Sequence, residues 1–439
     1  MRHKVRFGAG VLLTLLLVTA AACSNSNSSS TTTTTTTTSS SSNSNSNSNS
    51  TSAGPVRGLS GTTLTVGGIW STANFPGAEV GAEAYFAQIN KTNYLNGIKI
   101  KFAGFVNDNQ DPATALSGVR QLVNQDNIFA IVPDLSAVNP GPYLASQQIL
   151  YVGGGFDFSY CSPSATTSLW GYGYAGCLVP SNPPIVPDTY GQFYSYVKGK
   201  TGSASPTMAL FSNDNASGTN SVKLSTVSAK GAGFNVVYNK ANVPITASDY
   251  TPYVQQLLTS NHGKQPQAIG CQLTEQCIPM WAALKNAGYT GSYWTPLGAI
   301  AQLNSVMAGT VTISTFNGAP SAALTTMQTA MNAITPGTQL TGYSNVPSYF
   351  AAAMFVNALH TVQANKQAIT PQNVRKVLST IKWSIPGLVG PIQYPASTVA
   401  GTPYCTAFLA YTGGSTQQVY PYSCDSKTYK VTSQAEQAS

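Results

Sequence analysis

Two short runs, IFAIV at 128–132 and ILYV at 149–152, carry no charged or amide side chain. A strand with one face in water alternates apolar and polar residues, so runs without alternation must be covered on both faces, as in a parallel sheet between helical layers. The surrounding sequence keeps that rhythm. LTVGGIW (64–70) reads as a first strand on Leu64, Val66 and Ile69, and the loop from Asn74 to Gly77 leads to a helix from Ala78 to about Asn90. IKIKFAGF (98–105) alternates Ile98, Ile100 and Phe102 with lysines and reads as a strand with one solvated face. Asp111 and Pro112 then open a helix with Leu116, Val119 and Val123 recurring on one side. Strand, helix, strand, helix, strand in this order predicts a doubly wound α/β lobe.

The segment from Cys161 to Pro187 breaks the rhythm with small and turn-forming residues, after which it resumes. PTMALFS and QAIGCQ read as strands, KGAGFNVVYN as a helix end and a strand, and DYTPYVQQLL as a helix with Val254, Leu257 and Leu258 inward. IPMWAALKNAGY (278–289) predicts a helix stopped by Gly288, and Phe355, Leu359 and Val362 mark another. Thr370 as N-cap and Pro371 in the first turn start a further helix facing inward through Val374, Val377, Leu378 and Ile381. A β-rich tail follows. Residues 60–430 exceed what one core usually serves, so the expectation is two α/β lobes.

The N-terminal region belongs to neither lobe. Arg2, Lys4 and Arg6 precede an apolar run from Val11 to Val18 and the small residues Ala20, Ala21 and Ala22, the order of an export signal too short to span a bilayer as a mature helix. The stretch resembles a bacterial lipoprotein signal, which implies lipidation of Cys23. Ala20 stands where that family prefers leucine, so ordinary cleavage to a secreted chain is the alternative. Residues 24–53 are almost entirely serine, threonine and asparagine, too poor in apolar surface to offset the entropy of ordering, and read as a tether. About 30 such residues have a root-mean-square reach of roughly 30 Å and a stretched limit near 100 Å. An O-glycosylated spacer is the compatible plainer reading.

Without the three cations of the export signal, 18 basic residues face 13 acidic ones with no block of Lys or Arg, so nucleic-acid binding lacks its electrostatic footprint. Beyond Cys23 the six cysteines form three local couples, Cys161 with Cys177, Cys271 with Cys277 and Cys405 with Cys424. An even count in an exported chain favours disulfides, and of the 15 pairings possible for six cysteines the sequential one is expected, since each couple brackets a turn-rich loop. Zinc binding is the weaker reading, because no C-x-x-C occurs and only His262 and His360 remain as partners.

In this order and approximate spacing, GAEVGAEAYFAQINKTNYLNGIKIKF, NDNQDPATALSGVRQLVNQDNIFAIV, ILYVGGG, SDYTPYVQQLL, LKNAGY and VGPIQY resemble the type I periplasmic binding proteins, in particular the branched-chain amino acid group that serves ABC transporters. The resemblance spans nearly the whole body. It implies two lobes joined by several crossings, with a small ligand closed between them. The expected division is an export signal at 1–22, a tether at 23–58, a first lobe at 59–185 and 309–385, a second at 186–308 and 386–430, and a tail at 431–439. It further implies a membrane permease as partner, an extracytoplasmic location with a lipid anchor at Cys23, a monomer, and neither enzymatic activity nor a cofactor.

Ligands of open α/β sheets bind beyond the carboxyl ends of the strands, which directs attention to the loops Trp70–Phe75, Asp134–Ala137, Gly154–Tyr160, Asn213–Gly218 and Gln272–Glu275. The candidate ligand-binding residues are Trp70, Phe75, Asp134, Ser136, Phe156, Asp157, Ser217, Gln272 and Glu275. Ser136 matches the serine with which the family holds a ligand carboxylate. Phe156 and Asp157 stand where a threonine or serine is common, and Ser217 where a tyrosine often precedes the glycine of the second-lobe loop. Each has a plainer reading: aspartates after strands cap turns, aromatics pack cores, and Glu275 is a solvated rim charge. Aromatic walls with acidic groups suit a ligand that is partly apolar or cationic. Two other functions stay open, a ligand sensor signalling to a membrane receptor and an exported hydrolase. For the latter there is no G-x-S-x-G, no H-E-x-x-H and no P-loop.

Overall fold

The computed structural model describes residues 55–161, 169–178, 180, 183–273, 275–298, 300, 303–394, 404–425 and 427–438. The export signal, Cys23 and the tether up to residue 54 lie outside them. The folded body starts earlier than composition suggests: Val56 packs on the first lobe and Arg57 donates to the Val123 carbonyl at 3.5 Å, so 55–58 belong to the body and not to the tether.

The first lobe opens with β1 (Leu59–Ser60), β2 (Thr63–Trp70), α1 (Ala78–Thr92), β3 (Lys99–Asn107), α2 (Pro112–Asn124), β4 (Ala130–Asp134), α3 (Gly141–Ser146), β5 (Leu150–Gly153) and β6 (Gly171–Gly173). Strands β3, β2, β4, β5 and β6 lie side by side in parallel, with β1 antiparallel on β2. Every residue of β4 and β5 is buried, as the unbroken apolar runs require. Asp111 caps α2 by accepting from the Thr114 amide at 2.7 Å, with Pro112 at its first position.

The second lobe comprises β7 (Ile185–Pro187), α4 (Gly191–Thr201), β8 (Thr207–Asn213), α5 (Ala216–Ala232), β9 (Asn235–Val243), α6 (Thr251–Leu258), β10 (Ala268–Cys271), α7 (Cys277–Asn286), β11 (Ser292–Thr295) and β12 (Val311–Ser314). Its sheet runs β9, β8, β10, β11, β12, then two antiparallel strands from the chain end, β15 (Tyr404–Tyr411) and β16 (Thr416–Asp425). Alternate residues of β8 serve opposite layers: Ala209 and Phe211 join one buried cluster, Met208 and Leu210 the other.

Between β12 and β15 the chain returns to the first lobe with α8 (Ala322–Ile334), α9 (Asn345–Ala364), α10 (Pro371–Leu378) and a hairpin, β13 (Lys382–Ile385) and β14 (Val389–Gln393). The first twelve residues of α9 are buried on all sides, which fits a helix that is apolar all round. Thr370 caps α10 as expected, whereas Ile381 packs from the turn beyond it. Strand β17 (Thr428–Lys430) pairs with β7, and the carbonyl of Glu436 accepts from Asn239 at 2.7 Å, so the end of the chain lies against the second lobe. The sequential disulfide pairing is the one present.

Candidate functional site

Among the parallel strands, β2 lies between β3 and β4 and β8 between β9 and β10, so strand order reverses between β2 and β4 and between β8 and β10. Such a switch leaves a crevice beyond the carboxyl ends of the two strands. In the first lobe that crevice lies at Trp70 and Asp134, in the second at Asn213 and Gln272.

The loop after β2 turns back at once, with the Asn74 and Phe75 amides donating to the Ser71 carbonyl at 3.1 and 2.8 Å. This places the Phe75 ring almost parallel to Phe156 (centroids 5.8 Å apart, 9° between planes) and against Tyr343 at 6.2 Å. Trp70, Ala78 and Leu135 back the group. Trp70 itself is fully buried and stacked on Phe105 at 4.0 Å, so its ring packs within the first lobe.

Asp134 is also fully buried and organises its own loop: Oδ1 accepts from the Ser136 amide at 3.0 Å and Oδ2 from the Asn139 side chain. Burial pushes its carboxyl well above the usual carboxylate range, and the neighbouring Asp157 and Asp108 charges push the same way. The Ser136 hydroxyl accepts from the Val138 amide at 3.1 Å. Asp157 is half-buried and accepts from the Ser159 amide at 2.8 Å, ordering a 3-10 turn at Phe158–Tyr160. Asp108, at the end of β3, is 1 % exposed; burial raises its carboxyl, against the opposing influence of the Ser136 hydroxyl and the Gln110 amide.

In the second lobe, Gln272 donates to the Tyr190 hydroxyl and accepts from Ser221 of α5 at 3.3 Å. Ser217 lies half-buried in the first turn of α5, which Asn215 caps through the Gly218 amide at 2.7 Å. Gln276 ties three loops together, accepting from Asn213 at 2.7 Å and donating to the Pro244 and Ile245 carbonyls. Glu275 sits inside the loop closed by Cys271–Cys277, and its charge helps burial push the Tyr343 hydroxyl upward.

Tyr343 thus joins the lobes. It packs against the aromatic group of the first lobe and against the core cluster of the second. Its neighbour Ser344 donates to the Pro76 carbonyl at 2.7 Å, and Gly342 lies so near Gly298 that a β-carbon there would come within 3.2 Å. Phe75, Phe156, Asp134, Ser136 and Asp157 are brought into one neighbourhood, and Glu275 reaches it through Tyr343. Gln272 is instead tied to Ser221 of α5 and to Tyr190, and Ser217 lies in the first turn of the same helix. Sequence reasoning missed Tyr343, Asp108 and Asn139. Asp108 ends a strand as Asp134 does, and the rule that singled out the other loops applies equally to 107–110.

Two outcomes check this geometry. A methyl at Gly154 would come within 2.3 Å of the far edge of the Phe156 ring, which can swing away. Gly154→Ala is therefore expected to unstack Phe156 from Phe75 and lower solute affinity about tenfold by titration calorimetry, with little change in thermal midpoint. Asp108 has a folded-state pKa above its ordinary 3.8, so its favourable contribution is complete below that value and disappears as pH rises through the raised one. Asp108→Asn should match the parent in stability near pH 3 and exceed it increasingly toward pH 7, read from thermal midpoints in the absence of solute.

Two doubly wound lobes of like topology, sewn together by crossings and meeting at their switch points, define a bilobal solute-binding protein. The chain belongs to the periplasmic binding protein family, whose model, described as "Periplasmic binding protein", matches residues 61–411. No curated protein matches it. Among solved structures it is similar to a possible leucine/isoleucine/valine-binding protein from Rhodopirellula baltica (15% identity, TM-score 0.61, 84% of this chain and 98% of that one). It is also similar to a fatty acid ABC transporter substrate-binding protein from Thermomonospora curvata (15%, 0.65, 84% and 94%) and to an R. palustris solute-binding protein in complex with 4-hydroxybenzoate (16%, 0.63, 83% and 98%). At these identities the likeness establishes the shared fold.

Proposed function

We propose that this chain captures a small solute outside the cytoplasm by closure of its two lobes and delivers it to the permease of an ABC importer, as a monomer tethered to the membrane through a lipidated Cys23. The observation that carries this reading is the 341–345 segment. Through Tyr343 it links an aromatic pair at one switch point to Glu275 on a disulfide-closed loop at the other. Closure on a ligand needs side chains that both lobes share. The relatives in the comparison bind solutes as different as fatty acids and hydroxybenzoate, which fits one scaffold serving many loop chemistries.

The test is a thermal-shift screen of the purified chain against amino acids, amides, amines, aromatic acids, fatty acids and sugars, with hits confirmed by calorimetry. A true ligand at 100 times its dissociation constant adds about 2.7 kcal/mol to stability. Saturable binding without turnover supports the reading, and silence across every class overturns it. Intact mass of membrane-extracted protein checks the anchor: it should begin at Cys23 with added acyl mass.

A further inference from the structure

The first-lobe half of the crevice is built from acceptors. Asn139 is 7 % exposed, and its amide group donates to Asp134 while its Oδ1 has no hydrogen-bond partner. Asp108 Oδ1 accepts from the Gln110 amide at 2.8 Å, but no donor reaches its buried Oδ2 with hydrogen-bond geometry, although the Ser136 hydroxyl lies near enough to favour the ionised form. Leaving a buried acceptor unmet costs about 1–3 kcal/mol, so each of these two, both linked to the Asp134–Ser136 loop, calls for a donor. Charge points the same way. Asp157 and Asp108 lie close enough to Asp134 to raise the energy of its ionised form, and the Lys427–Asp188 ion pair lies in the other lobe. No described lysine or arginine pairs with Asp108 or Asp134.

We propose that the solute is a cation, an ammonium or amidinium group held at the ends of β3 and β4 by Asp108 and Asn139, with an apolar body lying against Phe75, Phe156 and Tyr343. This rests on the solute-binding reading above and narrows it. A donor-rich cation supplies the hydrogens that both acceptors lack and offsets the mutual repulsion of the acids. The ring faces of Phe75 and Phe156 suit the adjoining body and add attraction for a cation within about 6 Å of a ring centre. A ligand carboxylate at the same place would meet acidic groups and unmet acceptors and would supply no donor. The residues where this chain departs from the carboxylate-holding pattern, Phe156 and Asp157, belong to this same half of the crevice.

The experiment offers each of several bodies, phenyl-ethyl, indolyl-ethyl and isopentyl, as the amine, the corresponding carboxylate and the amino acid, and measures binding to the purified chain by calorimetry. For whichever body binds, the amine is expected to bind at least tenfold more tightly than the carboxylate. Asp108→Asn should weaken the amine at least tenfold, and Asp157→Asn, at a half-buried position that leaves folding intact, at least threefold. Amine affinity should also fall as the pH is lowered toward 4, since the facing groups are the carboxyls of Asp108, Asp134 and Asp157. A carboxylate or amino acid that binds as well as its amine overturns the proposal and leaves the solute-binding reading standing. So does an amine whose affinity ignores both substitutions, which would mean that ordered water meets these acceptors. If no amine binds while another class in the broad screen does, the proposal alone fails; if nothing in either panel binds, both fail.

Discussion

Gly81→Leu should leave little folded protein at room temperature, with a loss of at least about 4 kcal/mol in urea unfolding. A glycine inside a helix is unfavourable by about 1 kcal/mol relative to alanine, so its presence in α1 needs a reason. The reason is the crossing with α9. A β-carbon on Gly81 would lie 1.8 Å from the Asn345 carbonyl oxygen and 2.9 Å from the Tyr349 nitrogen, both backbone atoms that no rotamer change can move. The helices would have to part. Because α9 is buried on all sides over its first three turns, separating it from α1 opens the first lobe's core and also shifts Tyr343 and Ser344, which immediately precede it. Gly199 in α4 is the internal control. Nothing lies within 4 Å of a β-carbon there, so Gly199→Ala should stabilise by up to about 1 kcal/mol. Parent-like stability in Gly81→Leu would mean that the two helices do not cross this closely.

The elements legible in the sequence were those whose periodicity answers to burial on one side or on both. IFAIV and ILYV read as covered strands because they are covered, and α2 and α10 announced themselves through Asp111 and Thr370, whose caps form as drawn. Helix α4 gives no such signal: GQFYSYVKGKT has five aromatic or β-branched residues, two glycines and no side-chain cap, and only Phe193 and Val197 are buried. In α8 only Met327 and Met331 are buried, too few for a visible stripe. The crevice loops followed from strand ends alone, since in a parallel sheet those ends share one edge. Tyr343 could not be found that way. It sits on a crossing segment, not after a strand, and only the three-dimensional return of the chain brings it to Phe75. Asp134 shows the opposite difficulty, because its position at a strand end is shared by ligand contacts and loop caps, and its two acceptor atoms are engaged within its own loop.

Adjacent glycines at the end of β5 separate packing from binding. A β-carbon on Gly153 would stand 1.7 Å from the Asp134 carbonyl oxygen and 2.8 Å from the Tyr160 hydroxyl. That oxygen is a junction: it accepts from the Gly154 amide at 2.9 Å and from Tyr160 at 3.3 Å, joining β4, β5 and the 3-10 turn. Gly153→Val must force the two strand ends apart. The loop that carries Ser136 and Asn139 would move with one of them, and the loop that carries Phe156 and Asp157 with the other. Expected are a stability loss of about 3 kcal/mol, at the upper end for overpacking a core, and at least a hundredfold fall in solute affinity. At Gly154, one residue on, the added methyl meets only the edge of a ring, so affinity should fall without the stability loss. If Gly153→Val bound solute as tightly as the parent, the ends of β4 and β5 would not position the site. If Gly154→Ala lost as much stability as Gly153→Val, the Phe156 ring would be a fixed part of the core and not a movable wall of the crevice.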